Sequence, residues 1–296
     1  MIRGFYTAAA GMFAGQRRQE ILTNNLTNAE TPGYKADEAV LRAFPDMLME
    51  RIRDGEKSGI GMMQNGVYTH EVVPQFTTGA LQETGNAYDF AIAKDPVGPN
   101  GERAVLFFTV EDNQGNRYYT RNGRFKTNLD GQLTTSDGFL VLDEQGNPIP
   151  VNGRSLEYTP DGRLILHDVL DPAITDEVRL GIVAFGVGAG NLGGNAPLPN
   201  VNLLIKGERG YFAPAQGGNV QPVSLYAPPL VGWTYEVKQG AVESSNVDLT
   251  KTMTEMMEAL RYYEANQRSL MTADRTLDRA VNEIGRVNLT MRMSKR

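Results

Sequence analysis

From Leu249 onward, apolar residues recur at alternating steps of four and three: Leu249, Met253, Met256, Leu260, Tyr263, Leu270, Leu277, Val281, Ile284 and Met291. Gln267, Asp274 and Asn288 occupy the remaining positions of the same stripe. A strict seven-residue repeat sustained this long predicts one long helix carrying a left-handed coiled-coil seam. The segment SSNVDLTK supplies its start, with Ser245 or Asn246 as the expected cap and Asp248 in the first turn. A fainter stripe of Ile2, Phe5, Ala9, Met12, Leu22 and Leu26 predicts a second helix at the other end of the chain. At 1.5 Å per residue the two would be rods of about 65 Å and about 40 Å, so pairing them leaves about a third of the longer seam uncovered. Each large apolar side chain left in water forgoes about 1.5–3 kcal/mol, which predicts that another chain supplies the missing surface. An ordinary helical hairpin lying on the central region would bury the same residues. The narrow stripe and its polar layers favour a seam between helices, whereas Met257, Tyr262 and Met271 broaden the apolar face toward the hairpin alternative.

Between about residue 67 and residue 235 the period changes from helical to strand-like. VLFFTV (Val105 to Val110), FLVLD (Phe139 to Asp143) and RLILHDV (Arg163 to Val169) are short apolar, β-branched or alternating runs, which read as strands. Asn122-Gly123, Asp130-Gly131, Asp137-Gly138, Asn152-Gly153 and Asp161-Gly162 separate such runs, and these dipeptides accept the positive φ angles of tight hairpins. The spacing predicts antiparallel β structure in a sandwich or irregular barrel. GVGAGNLGGNAPLPN and APAQGGNVQP are too rich in Gly and Pro for regular elements and read as long loops. Residues 36–66 are ambiguous, with DMLMERIRDG compatible with a short helix.

The resulting fold class is α+β: discontinuous terminal helices forming a coiled-coil-like core, and a central, mostly antiparallel β domain. The expected domains are residues 1–35 with 243–296 (helical), 36–84 with 228–242 (connecting) and 85–227 (central β).

Composition narrows the chemistry. The 296 residues contain no cysteine, which excludes a disulfide framework, thiolate metal sites and thiol catalysis. Only two histidines occur, His70 and His167, too few for a histidine-rich metal site. No run of 18 apolar residues is present, so no direct membrane insertion by a helix is expected. The amino-terminal MIRGFYTAAAGMFAGQRRQE has glycines through its apolar stretch and continues into the helical pattern, which reads as mature structure and not a cleaved signal. Net charge is −6, but residues 1–35 hold four basic and two acidic residues and residues 249–296 hold nine and six, so the ends are +2 and +3 and the middle is −11. The asymmetry suggests separate modules. The basic tail from Arg286 to Arg296 has no interleaved aromatics, and no nucleic-acid partner is expected.

No catalytic, cofactor or metal residue stands out. Gly188, Gly190 and Gly193 match GxGxxG, but Pro197 and Pro199 prevent the helix whose amino terminus would face a pyrophosphate. Glu208 at the ribose-like distance is close to chance. His167 reads as a strand residue, Asp137 and Asp161 as turn residues, and Trp233 as core. An enzyme or carbohydrate-binding protein built on the β domain is the competing class. It predicts that changes at His70 or His167 abolish function while truncated termini are harmless.

Residues 23–35, TNNLTNAETPGYK, resemble the asparagine-rich signature of the flagellar basal-body rod and hook proteins. Asn24, Asn25 and Asn28 can bond locally to backbone, while Thr31, Pro32 and Gly33 turn the chain ahead of Tyr34 and Lys35. SNVDL with Asn246 and Asp248, then RYYEAN with Glu264 and Asn266, and TAD with Asp274 resemble the family's carboxyl-terminal block, in its rod form more than its hook form. TGNAYDFAIA and YTRNGRF resemble the start of its β domain, but Lys94 to Leu106 intervene before the aromatic pair Phe107-Phe108, which suggests a divergent branch. The resemblance implies a structural rod subunit that polymerises through its terminal helices and transmits torque from rotor to hook. A hook subunit or rod-to-hook adaptor is the alternative within the family. It further implies partners among its own copies, other flagellar axial proteins and the export apparatus, and a basal-body location reached across the cytoplasmic membrane without a cleaved signal.

Overall fold

The computed structural model describes residues 2–53, 56–63, 66–98, 103–159, 162–168, 175–187, 199–214, 223–226 and 233–293. They form two compact units, one of Met1–Thr27, Asp37–Pro74 and Asp248–Arg296, the other of Asn28–Ala36 and Gln75–Val247. Residues 37–74, expected as connecting chain, belong to the helical unit, and residues 28–36 and 243–247 belong to the β unit. The chain is α+β, with its β structure antiparallel in every strand pair described.

In the helical unit α1 (Ile2–Thr27) packs antiparallel on α2 (Leu249–Met293), since successive α1 positions meet successively earlier α2 positions. A Cβ on Gly11 would come within 2.8 Å of Asn266 Nδ2, a Cβ on Gly15 within 3.8 Å of the Ala259 carbonyl, and Arg18 lies 3.7 Å from Glu255. The two glycines permit this close approach. The α2 cap is Asp248, whose Oδ1 accepts the Lys251 N–H at 3.0 Å and whose carbonyl accepts the Thr252 N–H at 2.9 Å. Ser245 and Asn246, the expected caps, have other roles: the Ser245 hydroxyl accepts from Val247 N–H, and Asn246 is engaged in the β unit.

The rest of this unit is two ribbons. β1 (Asp37–Ala43) pairs with β4 (Val67–Pro74), and β2 (Met47–Arg53) with β3 (Glu56–Met63). DMLMERIRDG therefore supplies a strand and not a short helix: it pairs with the very next strand, Met47 opposite Met63 and Leu48 opposite Met62, and that cross-strand pairing overrides local propensity.

The β unit opens with β5 (Leu81–Glu83), β6 (Phe90–Val97), β7 (Ala104–Glu111), β8 (Arg117–Thr120), β9 (Phe125–Thr127), β10 (Leu133–Thr135) and β11 (Leu140–Val141). β12 (Ser155–Tyr158), β13 (Arg163–His167) and β14 (Thr175–Arg179) make a three-stranded sheet. β15 (Ile182–Gly186), β16 (Leu204–Lys206), β17 (Tyr211–Pro214) and β18 (Val223–Ser224) join β7 to β11 in the largest sheet. β19 (Thr234–Gln239) pairs with β6, and β20 (Ala241–Glu243) with β5. β7 is central and buried on both faces, which explains its unbroken apolar run. Leu106, Phe108 and Val110 enter one core with Phe125, Leu164 and Ile182, while Val105 and Phe107 enter a second with Phe185 and Phe212. Trp233 packs half-buried against the first core.

The Asp-Gly signals do mark hairpins, but of a longer kind. At Asn128–Gln132 and Thr135–Phe139 the first residue donates its N–H to the fifth residue's carbonyl, and the glycine sits fourth with φ of 72° and 91°. This is a type I turn closed by a left-handed glycine, selected because the first side chain accepts the fifth N–H: Asn128 Oδ1 takes Gln132 N–H at 2.8 Å. Asn152-Gly153 alone among the described pairs has both φ angles positive, 48° and 75°. Gly123 serves close approach: a Cβ there would lie 1.7 Å from the Phe90 carbonyl oxygen. Gly188, Gly190, Gly193 and Asp161 lie outside the described residues.

Candidate functional site

The two motif blocks meet inside the β unit. A strap of residues 33–36 crosses the stretch 243–246, and backbone and side-chain hydrogen bonds tie the two together. Gly33 N–H donates to the Glu243 carbonyl at 2.7 Å and Asn246 N–H to the Tyr34 carbonyl at 3.4 Å. Asn246 Oδ1 accepts the Ala36 N–H at 2.7 Å, and its Nδ2 donates to the carbonyls of Gln75 and Thr77. Three backbone segments, 34–36, 75–77 and its own, are therefore stitched by one asparagine, whose amide offers both donors and acceptor. From a further side, Lys206 on β16 donates to the Lys35 carbonyl at 2.6 Å with its ammonium 3.8 Å from the Tyr34 ring centroid.

Beneath the strap lies a buried quartet of charges. Lys35 Nζ donates to Glu243 Oε1 and to the Thr77 carbonyl, both at 2.7 Å. Arg121, at the end of β8, donates from Nε to Glu243 Oε2 at 3.0 Å. Its terminal nitrogens fork onto Asp95 of β6 at 2.6 and 3.2 Å, and one also reaches the Leu106 carbonyl. Glu243 accepts a third bond from Gly79 N–H at 2.8 Å. The side chains of Arg121 and Glu243 have 0% exposure and that of Lys35 has 1%, while Asp95 at 18% keeps an edge toward solvent; the quartet, two positive and two negative, is neutral. Such burial is tolerated only because each charge is paired and hydrogen-bonded.

Burial by itself would raise the Glu243 carboxyl, but Arg121 and Lys35, with their hydrogen bonds, outweigh it and hold the group below the usual range. Burial, helped by Arg121 and opposed by Glu243, pushes the Lys35 ammonium down. Glu243 therefore binds its proton less readily folded than unfolded. Its contribution to stability is complete above the unfolded value of 4.5 and is lost as pH falls through the folded one. In urea titrations of the β unit, Glu243→Gln is expected to lower the midpoint at neutral pH and to flatten its fall between about pH 5 and pH 3. An acid limb as steep as that of the unsubstituted chain would contradict this.

The remaining sequence-predicted residues fall into several settings. Gly33, Tyr34, Lys35 and Asn246 are in the crossing, and Asp248 caps α2. Thr31 and Asn28 form the turn that precedes it, with Thr31 N–H donating to the Asn28 carbonyl at 3.1 Å. Asn25 holds the start of β1, accepting the Asp37 N–H at 2.9 Å and donating to its carbonyl at 2.8 Å. Asn24, Glu264 and Asp274 are exposed. On α1, Leu22 is buried and Phe5, Ala9, Met12 and Leu26 are half-buried. On α2, Met256, Tyr263, Leu270 and Leu277 are half-buried together with Asn266, whereas Leu249, Met253, Leu260 and Val281 are exposed. The side chains of Ile2 and Ile284 lie outside the described residues. Thr252 and Ala259, absent from the expected stripe, are buried instead.

Arg121, Asp95 and Glu243 escape a reading of the sequence, because acids and arginines are ordinarily surface residues. The one available signal is that Arg121 stands within YTRNGRF and Asp95 within the Lys94–Leu106 segment. His70 is exposed on β4 and His167 lies 3.2 Å from Glu157 on the face of the three-stranded sheet. Among the described residues no group of three or more His, Asp or Glu could hold a metal ion, and no helix is long and apolar enough to cross a membrane.

Fold and crossing together define a chain whose amino- and carboxyl-terminal blocks are built into a single β unit and continue into long helices. Three family models match along it: flagella basal body rod protein at residues 5–35, the flagellar hook protein FlgE/F/G D1 domain at 106–166, and the flagellar basal body rod FlgEFG protein C-terminal model at 238–283. The chain is 35% identical over 299 residues to the flagellar hook-basal body complex protein FlhO of Bacillus subtilis (strain 168), covering 97% of this chain and 100% of that one. It is 33% identical to the flagellar basal-body rod protein FlgG of Agrobacterium fabrum, over 92% of this chain and 96% of that one. With FlgG of Bacillus subtilis the identity is 29%, over 95% and 99%. The chain belongs to the flagellar basal-body rod protein family.

Proposed function

We propose that this protein is a structural subunit of the flagellar basal-body rod, assembled with its own copies and other axial proteins through its terminal helices, and passing torque from rotor to hook. The supporting observation is the exposed apolar stripe of α2. Leu249, Met253, Met257 and Leu260 all stand in solvent in the single chain, on a helix of 45 residues against the 26 of α1. A surface of that kind marks a site of association, and a contact between two different faces that does not close on itself generates a helical filament. In the assembled rod the terminal helices form the coiled-coil core, and the subunit reaches it across the cytoplasmic membrane by the flagellar export apparatus without a cleaved signal. No step of this function calls for catalysis, a cofactor or a metal.

Replacing Leu260 and Leu277 together by Asp tests the reading. Incorporation into basal bodies and swimming are expected to be lost, while unfolding of the β unit shifts by no more than about 0.5 kcal/mol, the usual size for changes remote from a core. Immunoblots of isolated basal bodies and a motility assay decide it, and normal swimming of the double variant would sink the reading.

A further inference from the structure

The helical unit has a second unfilled apolar surface, a groove of about 1010 Å³ between α1 and the ribbons. Tyr6, Ala10 and Phe13 line it from α1, and Phe44, Met63 and Tyr68 from the strands. Tyr6 and Phe13 are 68% and 72% exposed, an unusual state for large aromatics on a packed helix. These α1 positions lie about 140° around the helix from Gly11, Gly15 and Arg18, which face α2. Because α1 itself stands between them, the chain's own α2 does not fill the groove.

We infer that the groove receives α2 of a second copy, through the stripe Leu249, Met253, Met257 and Leu260. The inference rests on the rod-subunit reading and specifies which faces meet. Two observations carry it. The groove runs along α1 from Tyr6 to Arg17 and the stripe from Leu249 to Leu260, eleven steps each, so both measure about 16 Å. An open trough three helical turns long, with apolar walls, has the shape that accepts an amphipathic helix. In the parallel setting, with Leu249 of the incoming copy by Tyr6, Met257 falls beside Phe13 and Leu260 reaches Arg17. The contact is heterologous, since groove and stripe are different surfaces, and it propagates from copy to copy. Three turns of helix bury less than the roughly 1,200 Å² of stable pairwise complexes, which suits a chain that stays single when dilute and gains the contact in a polymer.

The absence of cysteine gives a clean test. Phe13→Cys and Met257→Cys are introduced in one chain, expressed in place of the native copy, and isolated basal bodies are oxidised with copper phenanthroline. A ladder of disulfide-linked dimers, trimers and higher species is expected, with each single variant giving none. A ladder-free pattern from subunit that is present in the basal bodies overturns the groove pairing and leaves the rod reading standing, whereas absence of the unsubstituted, tagged subunit from basal bodies overturns the rod reading. A dimer from Phe13→Cys alone, or an internal Phe13–Met257 disulfide, also overturns the pairing.

Discussion

Replacing Arg121 by Met is expected to destabilise the β unit by about 3–5 kcal/mol, the cost of removing one partner from a buried ion pair. Arg121 is the one member of the quartet that touches both carboxylates, forked on Asp95 and bonded through Nε to Glu243. Without it Glu243 keeps Lys35 and Gly79 N–H, but the fully buried carboxylate loses its second cation, and the Leu106 carbonyl loses its donor. The charges cost more unpaired than the pairs contribute together, so the effects do not add. The triple variant Lys35→Met, Arg121→Met, Glu243→Met is therefore expected to lose several kcal/mol less than the sum of the three single changes. Urea unfolding of the single, double and triple variants measures this, and strict additivity would show that the four side chains do not act as one network.

The network bears on the proposed role through what it holds. Lys35 lies on the strap after the amino-terminal block, Glu243 and Asn246 on the stretch before α2, and Arg121 and Asp95 in the β unit's own strands. Polar groups satisfied only in one arrangement fix that arrangement more narrowly than apolar packing does, because any slip of the strap leaves a charge without its partner. A subunit required to pass torque needs its chain entry and exit points fixed, and the crossing supplies that without a disulfide.

Much of the architecture follows from residues that can be read in order. The run Val105 to Val110 announces a strand and becomes β7, buried on both faces, and the repeat after Leu249 announces α2. What periodicity does not give is the face. Choosing the largest apolar residues selects Leu249, Met253 and Leu260, yet the side of α2 that meets α1 centres on Thr252, Ala259 and Asn266. Close approach at Gly11 and Gly15 favours small groups opposite, and the large side chains are displaced to the flank. The crossing is less legible still. Its members are separated by up to 208 positions, and what identifies Lys35, Arg121 and Glu243 as interior residues is their mutual neutralisation, which exists only after folding.

Gly33→Ala is expected to be the most damaging single-methyl change in the motif, and comparison with Gly153→Ala separates its two causes. Both glycines have left-handed backbone angles, φ of 68° and 75°. That conformation costs a residue with a Cβ about 1–2 kcal/mol. At Gly153 no atom lies within 4 Å of the added methyl, so the change should cost only that amount. At Gly33 the methyl would lie 2.3 Å from the Arg121 carbonyl carbon and 2.5 Å from its oxygen, both backbone atoms that no rotamer change can move. The strap must then lift away from β8, which stretches the Gly33 bond to Glu243 and separates Lys35 from its carboxylate. A loss of more than about 4 kcal/mol follows, in the range reserved for strained or network-breaking substitutions. Hydrogen exchange should place the difference: amides of residues 33–36 and 243–246 lose protection in Gly33→Ala and keep it in Gly153→Ala. Equal stability of the two variants would mean that the strap is free to shift, and that the crossing does not fix the chain where the two terminal blocks meet.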